Sequence, residues 1–181
     1  VAARFNEPIV KKLVDGALAA FAAGGVSATD VDLHWVPGSF ELPLAAHHLA
    51  RCGRYAAIAC VGCVIKGETP HFDFVAGQAA AGLRQVSLET GIPVTFGVIT
   101  SLTEEQAWAR AGGPVGNRGA EAADAAMEMA DLVSVVNGQA ARAATRGAAP
   151  RAATPEKTRG ARAAGRTATE NGRRRSPRST R

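Results

Sequence analysis

From Tyr55 to Ile65 the chain carries no charged residue and consists almost wholly of Ala, Val, Ile, Cys and Gly. An apolar run of this length without alternation suits a strand covered on both faces, the position of a central strand in a parallel sheet. Parallel neighbours need crossover connections, and the flanking segments have the composition to provide them. Val1–Ala3 reads as the end of a first strand. Asn6 is placed to cap a helix that has Pro8 in its first turn, runs to about Ala23 and stops at Gly24-Gly25. Val31–Val36 reads as a second strand closed by Pro37-Gly38, followed by a helix from about Glu41 to Arg51 that Gly53 ends. Pro70 opens a further helix to about Thr90, with Gly91 as its stop, and Ile92–Ile99 reads as the last strand. Thr103–Ala111 and Gly119–Val136 are the final helices, separated by a Gly-rich turn. Strands alternating with helices in this way predict a three-layer α/β fold with helices on both faces of a parallel sheet.

Charge divides the chain in two. Residues 138–181 hold 12 Lys/Arg and 2 Asp/Glu, a net of +10, whereas residues 1–137 hold 9 and 14, a net of −5. The basic segment is built mainly from Ala, Arg, Gly, Thr and Pro, with no aromatic residue and no aliphatic larger than Ala. Burial cannot offset its ordering entropy, so a disordered tail is expected from Gly138 onward. Its charge suits nonspecific contact with nucleic acid or anionic surfaces, but no aromatics are interleaved for base stacking. A solvated tail without a partner is the competing reading. No apolar stretch reaches the roughly 18 residues that would span a bilayer, and the opening lacks the blocks of a signal peptide. The three cysteines, Cys52, Cys60 and Cys63, offer neither a disulfide framework nor zinc spacing, so free thiols are expected. A cytoplasmic protein with a first strand truncated at Val1 is the expectation.

In open parallel sheets ligands sit beyond the carboxyl ends of the strands. The segments expected there are Arg4-Phe5-Asn6, Pro37 to Glu41, Lys66 to His71, and Thr100-Ser101. Gly67 to His71 stands at a helix start, where free N–H groups and the dipole favour an anion. His71 in that first turn can exchange protons near neutral pH, while the alternative is a Gly turn, a Thr cap and a partly exposed His. Phe5 reads either as a platform for a planar heterocycle or as core. Glu41 reads either as a helix-start carboxylate or as an acceptor for sugar-like hydroxyls. Arg110 and Arg118 flank the Gly112–Asn117 turn and suit a phosphate or a carbonyl, or are simply solvated charges. His34, His47 and His48 show no partner pattern.

Four blocks, taken together, resemble the lumazine synthase family, the 6,7-dimethyl-8-ribityllumazine synthases. They are Arg4-Phe5-Asn6, Trp35-Val36-Pro37-Gly38-Ser39-Phe40-Glu41-Leu42-Pro43, the run Gly62 to Val75 (GCVIKGETPHFDFV), and Arg110-Ala111-Gly112 with Gly116-Asn117-Arg118-Gly119. The resemblance spans about residues 1–136, in order, and the block from Gly62 to Val75 is its most specific part. It implies a three-layer sandwich with a four-stranded parallel, flavodoxin-like sheet, in a domain of residues 1–137. It also implies condensation of 5-amino-6-(D-ribitylamino)uracil with 3,4-dihydroxy-2-butanone 4-phosphate, the penultimate step of riboflavin biosynthesis, without organic cofactor or metal.

By the same resemblance, Phe5, with Asn6 beside it, stacks on the pyrimidine. Ser39, Phe40 and Glu41 hold the ribityl chain, and Val64 and Ile65 line the ring pocket. Glu68, Thr69 and Arg110 take the phosphate, with Lys66 at a position where Arg is common, and His71 transfers protons. Phe96 and Arg118 close the pocket from an adjacent subunit of a pentamer or a sixty-subunit capsid. Arg118 stands where the family often has Lys, which keeps the charge but not the ammonium geometry. Riboflavin synthase is the implied partner protein. A catalytically impaired flavin- or ribityl-binding relative, a shell-forming relative and an archaeal-type riboflavin synthase are the rival readings.

Overall fold

The computed structural model describes the backbone of residues 1–147. Its main sheet has four parallel strands in the order β2-β1-β3-β4, formed by β1 (Ala2–Ala3), β2 (Trp35–Val36), β3 (Ile58–Ile65) and β4 (Val94–Ser101). The connections are α1 (Glu7–Ala23), α2 (Leu42–Arg51) and α3 (His71–Thr90). After β4 come α4 (Glu104–Ala109), a short antiparallel hairpin of β5 (Ala111–Gly113) and β6 (Gly116–Asn117), and α5 (Arg118–Gly147).

β3 is the central strand anticipated from its apolar run, and its alternate residues feed two separate cores. Ile58 and Cys60 join Leu42, Ala46 and Ala50 of α2 and Leu83 and Val86 of α3 on one face. Val61 and Cys63 join Ile9, Val10, Leu13 and Val14 of α1 and Ala107 of α4 on the other. A strand buried on both faces has no polar side to present, which is why its sequence does not alternate. β3 and β4 pair in register from Ile58↔Val94 to Ile65↔Ser101. The expected start of β4 at Ile92 is displaced to Val94, because Pro93 has no N–H to donate and contributes only its carbonyl, to Ile58 N–H at 2.8 Å. Thr100 and Ser101, expected beyond the strand, are its last two residues.

β2 is shorter than the expected Val31–Val36. Its ladder is confined to the two residues facing Ala2 and Ala3 of β1, and a turn of 3-10 helix, Ala28–Asp30, precedes the expected strand. Ser39–Glu41 forms a second such turn, so α2 begins at Leu42. Gly91, at φ 71°, ends α3 as anticipated, donating its N–H to Ser87 O.

The end of the domain differs from expectation. α5 runs to Gly147, so the tail anticipated from Gly138 begins inside a helix. Ala and Arg are among the best helix formers, and a helix already nucleated by its packed first half extends through them without needing burial. The rest of the anticipated tail, with the contacts to nucleic acid suggested for it, lies outside the described residues. No helix among the described residues is long and apolar enough to cross a membrane.

Candidate active site

The carboxyl ends of β1, β2 and β3 open into a cleft of about 510 Å³. One side is Phe5, two residues after β1 and 70 % exposed. A second is the 3-10 turn Gly38–Glu41. The floor is Cys63, Val64 and Ile65 at the end of β3, and the far side is Gly67, Thr69 and His71 with Phe72, Phe74 and Val75 of α3. Chain connectivity explains the convergence, since each of these segments follows a parallel strand at the same end.

Ser39 is the most telling polar group in the cleft. It is only 4 % exposed, and its Oγ has no hydrogen-bond partner among the described residues. It fits there because residue 62 is glycine; a Cβ at Gly62 would lie 2.5 Å from Ser39 Oγ. A buried hydroxyl left unpaired costs about 1–3 kcal/mol, which a ligand hydroxyl or carbonyl in the cleft would recover. Glu41 occupies the N-cap position of α2, but its carboxylate makes no capping bond, leaving its oxygens free to accept.

The start of α3 is also uncapped by side chains. The Thr cap of the alternative reading is not formed: Pro70 holds the N-cap position, and His71 is the first helical residue. The opening N–H groups of α3 therefore face the loop Gly67–Pro70 with the positive end of the dipole behind them, a ready anion site. Lys66, exposed at the mouth of this loop, donates its backbone N–H to Ser101 O at 2.9 Å, which fixes the loop to the end of β4. Asp73 in the same first turn is the one acidic group there. Burial raises the Cys63 thiol in the cleft floor, and likewise Cys60 behind it, to about 11. Neither is therefore a thiolate nucleophile at neutral pH.

Of the residues singled out from sequence, Phe5, Ser39, Phe40, Glu41, Val64, Ile65, Thr69 and His71 line this cleft. Asn6, Lys66 and Glu68 adjoin it without lining it. The side chain of Asn6 does not cap α1 as anticipated; it donates to Cys63 O at 3.0 Å. Arg110, Arg118 and Phe96 are elsewhere. The β5–β6 hairpin, read from sequence only as a Gly-rich turn, brings the two arginines together: Arg118 N–H donates to Arg110 O at 3.0 Å. Arg110 Nη1 turns back to Gln106 O at 2.9 Å, and Arg118 pairs with Glu121. Asn117 locks the arrangement, donating to Lys12 O at 2.8 Å while its Oδ1 accepts from the N–H groups of Gly119 and Ala120 at the start of α5. Phe96 is part-exposed on β4, outside the cleft of its own subunit. Cys63, Phe72, Phe74 and Val75 are lining residues outside the segments that sequence reasoning placed at this rim, although all four stand inside the Gly62–Val75 block; Gly38 and Gly67, within those segments, line it too.

A second groove, of about 470 Å³, opens at the amino ends of the strands, where the amine of Val1 donates to Ala59 O at 2.7 Å. On its rim Tyr55 Oη and Arg54 both engage Asp32, at 2.6 and 3.1 Å. His34 leans on Tyr55 there. The groups able to move protons or hold a ligand's charge gather at the other end, in the cleft containing His71.

The family model of 6,7-dimethyl-8-ribityllumazine synthase matches residues 1–134. The 6,7-dimethyl-8-ribityllumazine synthases of two strains of Thermus thermophilus are each 52 % identical over 134 residues, covering 74 % of this chain and 85 % of the relative. The matched span holds every strand and the whole cleft, and it ends within α5. This chain belongs to the 6,7-dimethyl-8-ribityllumazine synthase family.

Proposed function

We propose that the chain condenses 5-amino-6-(D-ribitylamino)uracil with 3,4-dihydroxy-2-butanone 4-phosphate to give 6,7-dimethyl-8-ribityllumazine. The observation that carries this reading is one rim that holds an exposed aromatic platform (Phe5), an unpaired buried hydroxyl (Ser39), a free carboxylate (Glu41) and an uncapped helix start bearing His71. A planar heterocycle with a polyol arm and a phosphorylated partner needs that combination. Phe5 stacks on the pyrimidine above Val64 and Ile65, and the Ser39–Glu41 turn takes the ribityl hydroxyls. The Gly67–Pro70 loop and the first N–H groups of α3 take the phosphate, with Glu68 and Thr69 shaping the loop and Lys66 adding charge at its mouth.

The chemistry is addition and elimination. The pyrimidine's amine attacks the ketone, water leaves to give an imine, inorganic phosphate is eliminated, and the ring closes with loss of a second water. Holding the two substrates together supplies much of the acceleration. His71 shuttles protons between the amine, the carbonyl oxygen and the leaving groups. Arg110, Arg118 and Phe96 act on the cleft of a neighbouring subunit, with Arg110 steadying the departing phosphate. Support for this assignment comes from the hairpin that joins the two arginines outside their own cleft. Broad exposed apolar surface on the single subunit, including Leu88 at 73 % and Leu132, Val135 and Val136 of α5, supports a homo-oligomer, a pentamer or a sixty-subunit capsid. Such a particle can also receive riboflavin synthase, which consumes the product.

The test is direct. Purified protein mixed with both substrates is expected to form fluorescent lumazine above the spontaneous rate, with phosphate released one for one. A flat trace from folded, assembled protein that still binds the pyrimidine would replace the enzyme reading with that of a binding relative.

A further inference from the structure

Asn6 is the only non-glycine residue with positive φ among the described residues, at φ 60° and ψ 40°. The left-handed region costs an L-residue roughly 1–2 kcal/mol, though Asn tolerates it better than most. Helix capping does not account for this conformation, since a capping residue normally adopts extended backbone and bonds the helix start through its side chain. Here the α1 start is served by the Asn6 carbonyl, which accepts from Ile9 and Val10 N–H at 3.0 and 3.1 Å. The side chain points the other way, its Nδ2 reaching Cys63 O at 3.0 Å, across 57 residues of sequence.

The residues just before it are fixed from the opposite side. Arg4 N–H donates to Val36 O at 2.8 Å and Phe5 N–H to Pro37 O at 3.1 Å, so the chain follows β2 until Phe5 and then turns sharply at Asn6. The turn leaves the Phe5 ring in the cleft and drops the backbone into α1. The amide of Asn6 meanwhile grips β3 at Cys63, immediately before Val64 and Ile65, which line the same cleft as Phe5. One residue thus sets both the projection of the aromatic ring and its distance from those two residues.

We infer that Asn6 is a positioning residue that sets the width of the slot between Phe5 and the β3 wall, and through it the affinity for the planar pyrimidine substrate. The inference rests on the proposed reaction for the identity of that substrate. It assigns Asn6 no contact with the reacting atoms. Strain held at one backbone position and secured by a cross-element hydrogen bond is a known way of pre-organising a site.

The experiment uses the full chain and the Asn6→Gly variant, which keeps the left-handed turn accessible but removes the grip on Cys63, with Asn6→Ala as a harsher companion. Steady-state kinetics are measured with each substrate varied in turn. Equilibrium dialysis is run with the unreactive 5-nitro analogue of the pyrimidine, and a thermal melt is recorded. For Asn6→Gly the KM for the pyrimidine is expected to rise about tenfold and the analogue to bind about tenfold more weakly. The KM for the phosphorylated substrate and kcat at saturation should stay close to wild type, while the melting midpoint falls only by the few degrees that one part-buried hydrogen bond accounts for. Analogue affinity within twofold of wild type would overturn the inference. So would parallel losses in both KM values, kcat and midpoint, which would mark Asn6 as merely structural. If the wild type binds the analogue but makes no lumazine, the proposed reaction fails, and the dialysis alone still decides the role of Asn6.

Discussion

His71 is the one imidazole in the cleft, and its place as the first residue of α3 puts it beside the segment that would hold a phosphate. In a reaction made of additions and eliminations, removing a single proton shuttle slows turnover without abolishing it, because water and proximity remain. His71→Ala is expected to lower kcat by roughly 10- to 100-fold, measured as lumazine formation at saturating substrates. Arg110→Ala should cost more, because no water replaces a charge opposite the leaving phosphate. A kinetically silent His71→Ala would remove the shuttle role. The thiols give a second residue-scale test. Cys60 and Cys63 are buried and hold their protons up to about 11, whereas Cys52 is exposed. A disulfide reagent at pH 8 should react quickly with one thiol per native chain and with three after denaturation. An unfolded thiol ionises near 8.5–9. The folded chain keeps protons above that pH that the unfolded chain releases, so this contribution to stability is complete below about pH 9 and is lost as pH rises through about 11. The melting midpoint should fall between pH 8 and pH 10.5, and less steeply in a Cys60→Ala, Cys63→Ala variant.

At the scale of elements, close approach of α5 to α1 and to β4 depends on residues that lack side-chain bulk. A Cβ on Gly119 would stand 2.0 Å from Leu13 O, and one on Gly97 of β4 would stand 2.9 Å from Ala122 Cβ. Backbone cannot yield as a flexible side chain does, so Gly119→Ala is expected to cost on the order of 3 kcal/mol and to lower the melting midpoint by roughly 10 °C. A calorimetric scan decides it. The elements themselves were largely legible in the sequence. β3 announced itself because burial on both faces removes every polar residue from a strand, and the helices announced their ends through Gly24-Gly25, Gly53 and Gly91. What sequence could not supply was partnership. Val31–Leu33 have strand-like composition but no β1 residue beside them, and the β5–β6 hairpin is held by Asn117 bonding to Lys12, 105 residues away. The cleft was legible in its polar members and in Phe5 and Phe40 through the motifs. Its lining by Phe72, Phe74 and Val75, and the left-handed turn at Asn6, depend on how α3 and α1 seat against β3, and periodicity does not encode that.

At the scale of the whole molecule, the sheet separates two apolar cores built from different helices. One holds Leu13 of α1 and the other Leu83 of α3, both fully buried. Pairs this far apart, with a rigid layer between them, share no cavity into which the other could relax. Leu13→Ala and Leu83→Ala should each destabilise the protein by about 2–5 kcal/mol, and the double variant by their sum to within about 0.5 kcal/mol in chemical denaturation. β3 contributes to both compartments, through Ile58 and Cys60 on one side and Val61 and Cys63 on the other, and β4 does so through Val98 and Ile99. The two halves of the interior are thus free to drift apart in sequence over generations, each compensating only within itself, while the two strands between them have to satisfy both histories at once.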